Sequence, residues 1–389
     1  MSQLTVAVAP HRNISLTSLH ATLQDQQDRA VNAIMGAGRL RAHGGNLIIP
    51  QTVPDLRDDG VAMTAGSFVL SDIALEGISK KLDIPSSYLR RMAKDNVTLL
   101  DDNVNSWLQR DGRRFLIRCL RHRTAAHGPG GGHGTARAFL SDSYLRIDNL
   151  QVLLAALDGI RQAGVAVQVA SCDLTERRMY VRFVSPDVQV MAPQLLKNYR
   201  SPFDGRRGSD LPVISAGFML TNSETGYGKY SLAPWLRVEV CTNGQTVDKT
   251  FAKTRIHRGA RITDDDGIIE PSERTIRHHL ELITSQTIDA VRAYLDADFL
   301  GRIVRDLQQA ADVAVTQPDT TIKIVADRLQ YTKDQQAAIL AHFIAGADLS
   351  AGGIMQAVTS VARSIPDADA AYRMETTATQ ALHLAATNA

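Results

Sequence analysis

The chain has 389 residues, 44% of them hydrophobic and 22% charged, the make-up of an ordinary soluble globular protein with length enough for two domains and a large core. No apolar run reaches the eighteen or so residues of a membrane span, and residues 1–13 lack the long apolar centre and small-residue cleavage site of a signal peptide, so a cytoplasmic protein without a membrane partner is expected. The formal charge of +2 conceals an asymmetry: residues 107–261 carry 23 Lys and Arg against 12 Asp and Glu, and the remainder carries 20 against 29.

In chain order, residues 16–35 read as one amphipathic helix, followed by the Gly-rich GAGRLRAHGG, which suggests a mobile tether. Strand-like stretches at 46–50 and 61–70 come next, then a helix over 72–82 capped by Ser71 or Asp72. A second helix opens at Pro85, where a missing N–H costs nothing. The pair has the shape of a small helix-turn-helix whose second member carries Arg90, Arg91 and Lys94, so major-groove reading is conceivable, although such pairs are common packing units. Residues 101–109 predict a third helix. RRFLIRCLR at 113–121 alternates apolar Phe115, Ile117 and Cys119 with a partly basic face holding Arg114 and Arg118, and 135–147 is its partner strand across a loop with five glycines and one proline.

Cys119, Cys172 and Cys241 are too widely spaced for a disulfide framework and read as core thiols of a reducing compartment. Cys119, His122, His127 and His133 invite a zinc reading by spacing alone, but the glycines impose no geometry and Cys119 falls on an apolar face. Asp264, Asp265 and Asp266 lack the rest of a calcium loop. No metal and no cofactor are expected.

Residues 149–163 form a helix with Leu150, Leu153, Leu154, Leu157 and Ile160 on one face, and 165–171 with 178–184 a hairpin. Residues 186–210 are broken by Pro and Gly and hold Lys197, Tyr199, Arg200, Phe203, Arg206 and Arg207. Four cations and two aromatics on one loop suit a single strand, whose phosphates the cations neutralise while its bases stack. Three strands follow at 213–221, 231–241 and 246–256, with a tight Asn-Gly turn before the last. Tyr227 and Lys229 lie in the first turn, and Lys249, Lys253, Arg255, His257, Arg258 and Arg261 give the far end a strong positive charge. From residue 270 the pattern turns wholly helical: 271–295, 298–315, 321–329, 333–344, 352–364 and 368–385.

Ser223-Glu-Thr-Gly, Cys241-Thr-Asn-Gly, the basic segment ending Arg255-Ile-His257, and Ala138-Phe-Leu-Ser-Asp-Ser-Tyr-Leu-Arg-Ile-Asp148-Asn149 together resemble the phage/plasmid-like family known as domain of unknown function 932, over about residues 69–370. The resemblance implies a protein of phages, prophages or plasmids and carries no established activity with it.

The expected fold class is α+β: a curved antiparallel sheet backed by helices, with an all-α C-terminal region. The expected divisions are an N-terminal helix and tether (1–45), an α+β core with the basic sheet (46–268) and a helical C-terminal domain (269–389). A basic sheet in a near-neutral chain is the footprint of a phosphate-backbone binder. The leading expectation is a homo-oligomeric protein that binds single-stranded DNA for annealing or recombination. Lys197, Arg200, Arg206, Arg207, Lys229, Lys249, Lys253, Arg255, His257 and Arg258 would contact phosphates, and Tyr199, Phe203 or Tyr227 would stack on bases. The rival from another class is a phage accessory protein that inhibits a host defence or regulatory factor. A third reading is a metal-dependent enzyme acting on nucleotides or nucleic acid, with Glu224, Asp210 and Asp248 converging with Lys253 or His257. The plainer reading of the basic middle is that its arginines pair with carboxylates of the acidic flanks.

Overall fold

The computed structural model describes residues 8–50, 55–57, 60–62, 65–123, 133–239, 243–246, 253–255 and 273–389. Two sheets carry the α+β fold, and a bundle of helices completes it. The larger sheet has seven strands: β1 (His11–Ile14), β10 (Gln168–Leu174), β11 (Met179–Met191), β12 (Val213–Asn222) and β13 (Tyr230–Val238) lie side by side, and both β14 (Asn243–Thr246) and β15 (Lys253–Arg255) pair with β13. Every pairing in it is antiparallel. The smaller sheet runs β2 (Ala30–Gly36), β8 (Arg114–Arg121), β9 (Gly134–Ser141), β7 (Gly66–Leu70), β4 (Asn46–Ile49) and β3 (Arg41–His43), with β7 parallel to β9; β5 (Asp55–Arg57) and β6 (Gly60–Ala62) form a separate hairpin.

Six residues of the expected N-terminal helix, 30–35, belong elsewhere. Helix α1 (Leu16–Arg29) is capped by the Ser15 hydroxyl, which accepts from the Ser18 N–H, and stops at Arg29. The next seven residues, AVNAIMG, bury Val31, Ala33 and Met35 with period two, which only a strand can do, and they pair with β8. The Gly-rich segment is likewise no tether: it makes a short 3-10 turn (Ala37–Arg39) and β3, with Leu40 and Ala42 buried. Residues 11–43 therefore contribute strands to both sheets.

Helices α2 (Asp72–Leu82), α3 (Ser86–Asp95) and α4 (Val97–Arg110) cover one face of the smaller sheet through Leu75, Ile78, Leu89, Leu100 and Val104. Gly77 permits this, because a Cβ there would lie 2.5 Å from the carbonyl oxygen of Phe139 on β9. Arg90 of the helix-turn-helix candidate is tied to Asp72 at 2.5 Å and faces Glu76 at 3.6 Å, so it braces the two helices against each other.

Helix α5 (Asn149–Ala163) starts from a capping box between Asp148 and Gln151 and ends at Gly164 in the left-handed region (φ 70°). It packs with α7 (Glu273–Tyr294) against the face of the larger sheet bearing Val181, Phe183, Phe218, Leu220, Leu232 and Leu236. Thr284 Oγ1 donates to Ala155 O at 3.2 Å across the helix pair, and Tyr230 and Thr287 meet through their hydroxyls at 3.4 Å. Strand β11 runs on to Met191, beyond the expected end of its hairpin, before the short helix α6 (Pro193–Leu196).

The all-α C-terminal region comprises α8 (Ala297–Ala311), α9 (Pro318–Leu329), α10 (Lys333–Gly346), α11 (Ala351–Ser364) and α12 (Ala368–Thr387). Asp296, Thr332, Ser350 and Asp367 cap four of these with side-chain oxygens. Cys119 and Cys172 are buried and unpaired, and Cys241 lies outside the described residues. No described helix is long and apolar enough to cross a membrane.

Candidate functional site

Strands buried on both faces carry side chains into two different environments, and the larger sheet uses its second face for chemistry. In β11, Val181 and Phe183 enter the main core while Tyr180, Arg182 and Val184 point to the opposite side, towards α12. There Arg182, 3% exposed, donates through Nη1 to Asp173 of β10 at 2.6 Å and through Nη2 to Glu375 of α12 at 2.8 Å. Asp173 also accepts from Arg12 Nη1 at 2.6 Å and from the Asn13 N–H at 2.7 Å, so one fully buried carboxylate joins β1 to β11. Arg12 continues to α11, donating to the carbonyl oxygens of Ala362 and Ile365 at 3.3 Å. The Tyr180 hydroxyl fixes the start of α12 by a 2.5 Å bond to Asp369, and burial, helped by that acidic neighbour, pushes this phenol well above its ordinary pKa.

These contacts frame a cavity of about 370 Å³ between the sheet and the last two helices, lined by Arg12, Asn13, Ala170, Ser171, Arg182, Trp235, Arg237, Thr359, Arg363 and Glu375. Trp235 lies across Gly217 of the neighbouring strand, where a Cβ would come within 2.9 Å of its ring and 2.2 Å of the Phe183 carbonyl oxygen. Its indole N–H is buried and meets no hydrogen-bond acceptor among the described residues. Arg237 faces Glu239 at 3.6 Å, and Glu239 also accepts from Ser215 Oγ at 2.6 Å. Arg363 reaches from the lining to the rim, where its guanidinium sits 4.4 Å from the centroid of the Phe203 ring. Guanidinium forks and an unfilled indole N–H make this a site rich in donors, and planar oxyanions such as carboxylate or phosphate are the groups that such forks match.

Of the predicted set, Phe203 lies outside the lining but meets one lining residue, Arg363. It is 43% exposed and also meets His342 edge-on at 5.9 Å. Lys197, Arg200 and Arg207 of the same loop are exposed, with Arg200 Nε donating to Gly205 O at 3.2 Å. Arg206 is exposed too but closes onto Asp204 at 2.7 Å, and the nearby Ser201 hydroxyl together with Arg206 holds that carboxyl down to about 2. Tyr199 is a correction: it is buried, with its hydroxyl 3.5 Å from Ser360 Oγ, and cannot stack on a base. Its spacing within the loop is that of a residue turned in to anchor the loop on α11.

Tyr227 and Lys229 lie at another place. Lys80 and Arg177 sit 5.0 Å and 4.9 Å from the Tyr227 ring, which is thereby already engaged by cations, and Arg178 donates to its carbonyl oxygen at 2.8 Å. Lys229 is exposed. Lys253 and Arg255 are on β15, whose side chains fall outside the described residues, as do Lys249, His257 and Arg258 altogether.

The two motifs upstream and within the meander meet in a second, closed cluster between the sheets. Arg118 of β8 donates to Asn32 at 3.0 Å, to the Glu224 carbonyl oxygen at 3.1 Å and to Asp148. Arg137 of β9 donates to Glu224 Oε2 at 2.6 Å, and Glu224 Oε1 accepts from the Asn149 N–H at the start of α5, also at 2.6 Å. Burial alone would raise the Asp148 carboxyl, but the Arg118 charge beside it overrides that and holds it below the ordinary range. The space left over is about 10 Å³. Glu224 has both oxygens occupied and is buried, which removes it from the expected metal-dependent constellation; Asp210 is exposed on its loop and Asp248 lies outside the described residues. Of the zinc candidates, Cys119 is buried with its thiol pushed up by desolvation, His133 Nδ1 accepts from the Ser67 N–H at 3.1 Å, and His127 lies outside the described residues.

Among the described residues, Arg113, Arg118, Arg123, Arg137, Arg161, Arg177, Arg182, Arg206 and Arg237 each face a carboxylate within 4.0 Å, so much of the excess charge of the middle third is answered locally. Sequence reading missed Arg118, Arg137 and Arg182 as interior groups. The available signal was a lone arginine inside a strand with apolar residues on both parities, as in MYVRFV, since such a strand is buried on both faces and its arginine must find a carboxylate. No family model matches the chain, and neither the curated proteins nor the solved structures contain a match.

Proposed function

We propose that the protein binds nucleic acid, taking phosphate oxygens into the arginine-lined cavity beside α12 and laying a base against Phe203. The observation that carries this reading is the joining of a donor-rich cavity to an exposed aromatic ring through a single side chain, Arg363. Lys197, Arg200 and Arg207 extend the positive surface along the loop that bears Phe203. Cations and a stacking ring suit a single strand held mainly by its backbone with pairing edges left available, as annealing and recombination require. The resemblance to a phage/plasmid-like family fits such a role. A homo-oligomer would lengthen the surface available to a strand.

Binding of a labelled single strand, followed as salt is raised, tests the reading. Each neutralised phosphate contributes a slope of about −0.7 in log affinity against log salt for single strands, so three or more contacts give a slope steeper than about −2. Arg237→Gln weakens binding without moving the melting temperature by much, because Arg237 is only half-buried at the cavity mouth. Absence of binding at about 0.15 M salt would sink the proposal and favour a protein partner instead.

A further inference from the structure

We infer that the cavity takes a terminal nucleotide phosphate, with the attached base stacked on Phe203. This rests on the reading above and narrows it. The cavity, at about 370 Å³, is at the lower end of the range that accommodates a single small ligand, so it holds one nucleotide unit and not a run of them. Its inner wall is solid: Arg182 and Glu375 are 3% and 7% exposed, and Asp173 behind them is fully buried. An internal phosphodiester continues in two directions and needs two exits, whereas a terminal phosphate continues in one. A terminal monoester also carries about −1.5 to −2 near neutral pH and offers three acceptor oxygens.

The acceptor-hungry group is Trp235. Its indole N–H can only donate, it is buried, and nothing among the described residues accepts from it. An oxyanion beside Trp235 and Arg237 would satisfy that donor and use the guanidinium nitrogens that Glu239 leaves at 3.6 Å. Arg363 lines this same space and covers part of the Phe203 ring at 4.4 Å, while 43% of Phe203 remains exposed to receive a base. Phosphate and base positions are therefore linked by one side chain, Arg363.

The chain has two tryptophans, and Trp107 is 49% exposed, so Trp107→Phe leaves Trp235 as the sole indole reporter. Its emission is followed while the full chain is titrated with inorganic phosphate, a 5′-mononucleotide, and one single-strand sequence bearing a hydroxyl or a phosphate at its ends. The phosphorylated strand is expected to bind at least tenfold more tightly than the hydroxyl strand. Phe203→Ala lowers affinity for the mononucleotide by about five- to a hundredfold, the loss of one stacked base, and leaves inorganic phosphate unchanged. A mononucleotide that matches the phosphorylated strand identifies the free nucleotide as the occupant, and a tighter strand identifies the strand end; either supports the assignment. Equal, salt-dependent binding of the two strands overturns the terminal-phosphate assignment and leaves nucleic-acid binding standing. Failure of every strand and of both phosphates overturns the two together.

Discussion

Two arginine clusters occupy the molecule, and they differ in what remains after pairing. Between the sheets, Arg118 and Arg137 face Asp148 and Glu224, every carboxylate oxygen named there has a donor, and about 10 Å³ is left over. Beside α12, Arg12 and Arg182 share Asp173 and Glu375 in the same manner, yet Trp235, Arg237 and Arg363 stand around 370 Å³ of space. The first cluster is a closed joint. The second is a joint with a vestibule. Both keep a buried donor without an acceptor among the described residues, Arg137 Nε in the first and the Trp235 indole N–H in the second, so what separates them is the space beside the donors and not the number of cations. A count of charges along the chain cannot separate the two cases.

Disturbing the closed joint should have the largest effect. Glu224→Ala strands Arg137 in an interior where an unpaired charge costs about 3–5 kcal/mol, so denaturant unfolding should show a loss of that order. A variant that melts like the parent would mean that Arg137 reaches water. The double replacement Arg137→Met with Glu224→Met should recover most of the loss, because it removes both charges together.

At the vestibule, Gly217→Ala places a methyl 2.2 Å from the Phe183 carbonyl oxygen and 2.9 Å from the Trp235 ring. Overpacking of this kind costs about 1–3 kcal/mol, and it should change Trp235 emission, which the closed-joint variants leave alone. Unchanged emission would mean that Trp235 does not lie over β12.

The joint also has a pH signature. The folded pKa of Asp148 is depressed, so its contribution is fully present above the ordinary carboxylate value near 4 and is lost as pH falls below it. Stability measured against pH should therefore decline more steeply on the acid side for the parent than for Asp148→Asn, and parallel curves would remove Asp148 from the account. The smallest effect is expected at the rim. Lys197→Ala and Arg207→Ala should leave stability within about 0.5 kcal/mol, while each reduces the salt slope of strand binding by about 0.7.

Much of the fold was legible because its signals are local. The strands at 213–222 and 230–238 alternate or run apolar, α5 has its cap and its leucine stripe, and the C-terminal helices show capping side chains at Asp296, Thr332, Ser350 and Asp367. The stretch after Arg29 misled because Val31, Ile34 and Met35 satisfy a helical period while Val31, Ala33 and Met35 satisfy a strand one, and only β8 placed beside them decides. Of the site, Phe203 was found by composition. Trp235, Arg182 and Arg363 were not, since what unites them is contact across the chain: Arg182 meets Glu375 193 positions away, and Phe203 meets Arg363 through packing of a loop on a bundle. Ser223-Glu224-Thr225-Gly226 reads as a polar turn until Arg137 and the start of α5 are seen to converge on Glu224.

Arg12 gives the first strand a leverage out of proportion to its four residues. It is the edge of the seven-stranded sheet, and its guanidinium clamps both a buried carboxylate and the end of α11. Cleavage of the chain just before Ser15, or a bulky fusion placed there, would unzip that margin and bare the backbone of β10 to any passing strand. It would also cost the vestibule one of its walls, so a preparation clipped at its front end would misreport ligand affinity while most of the molecule stayed folded.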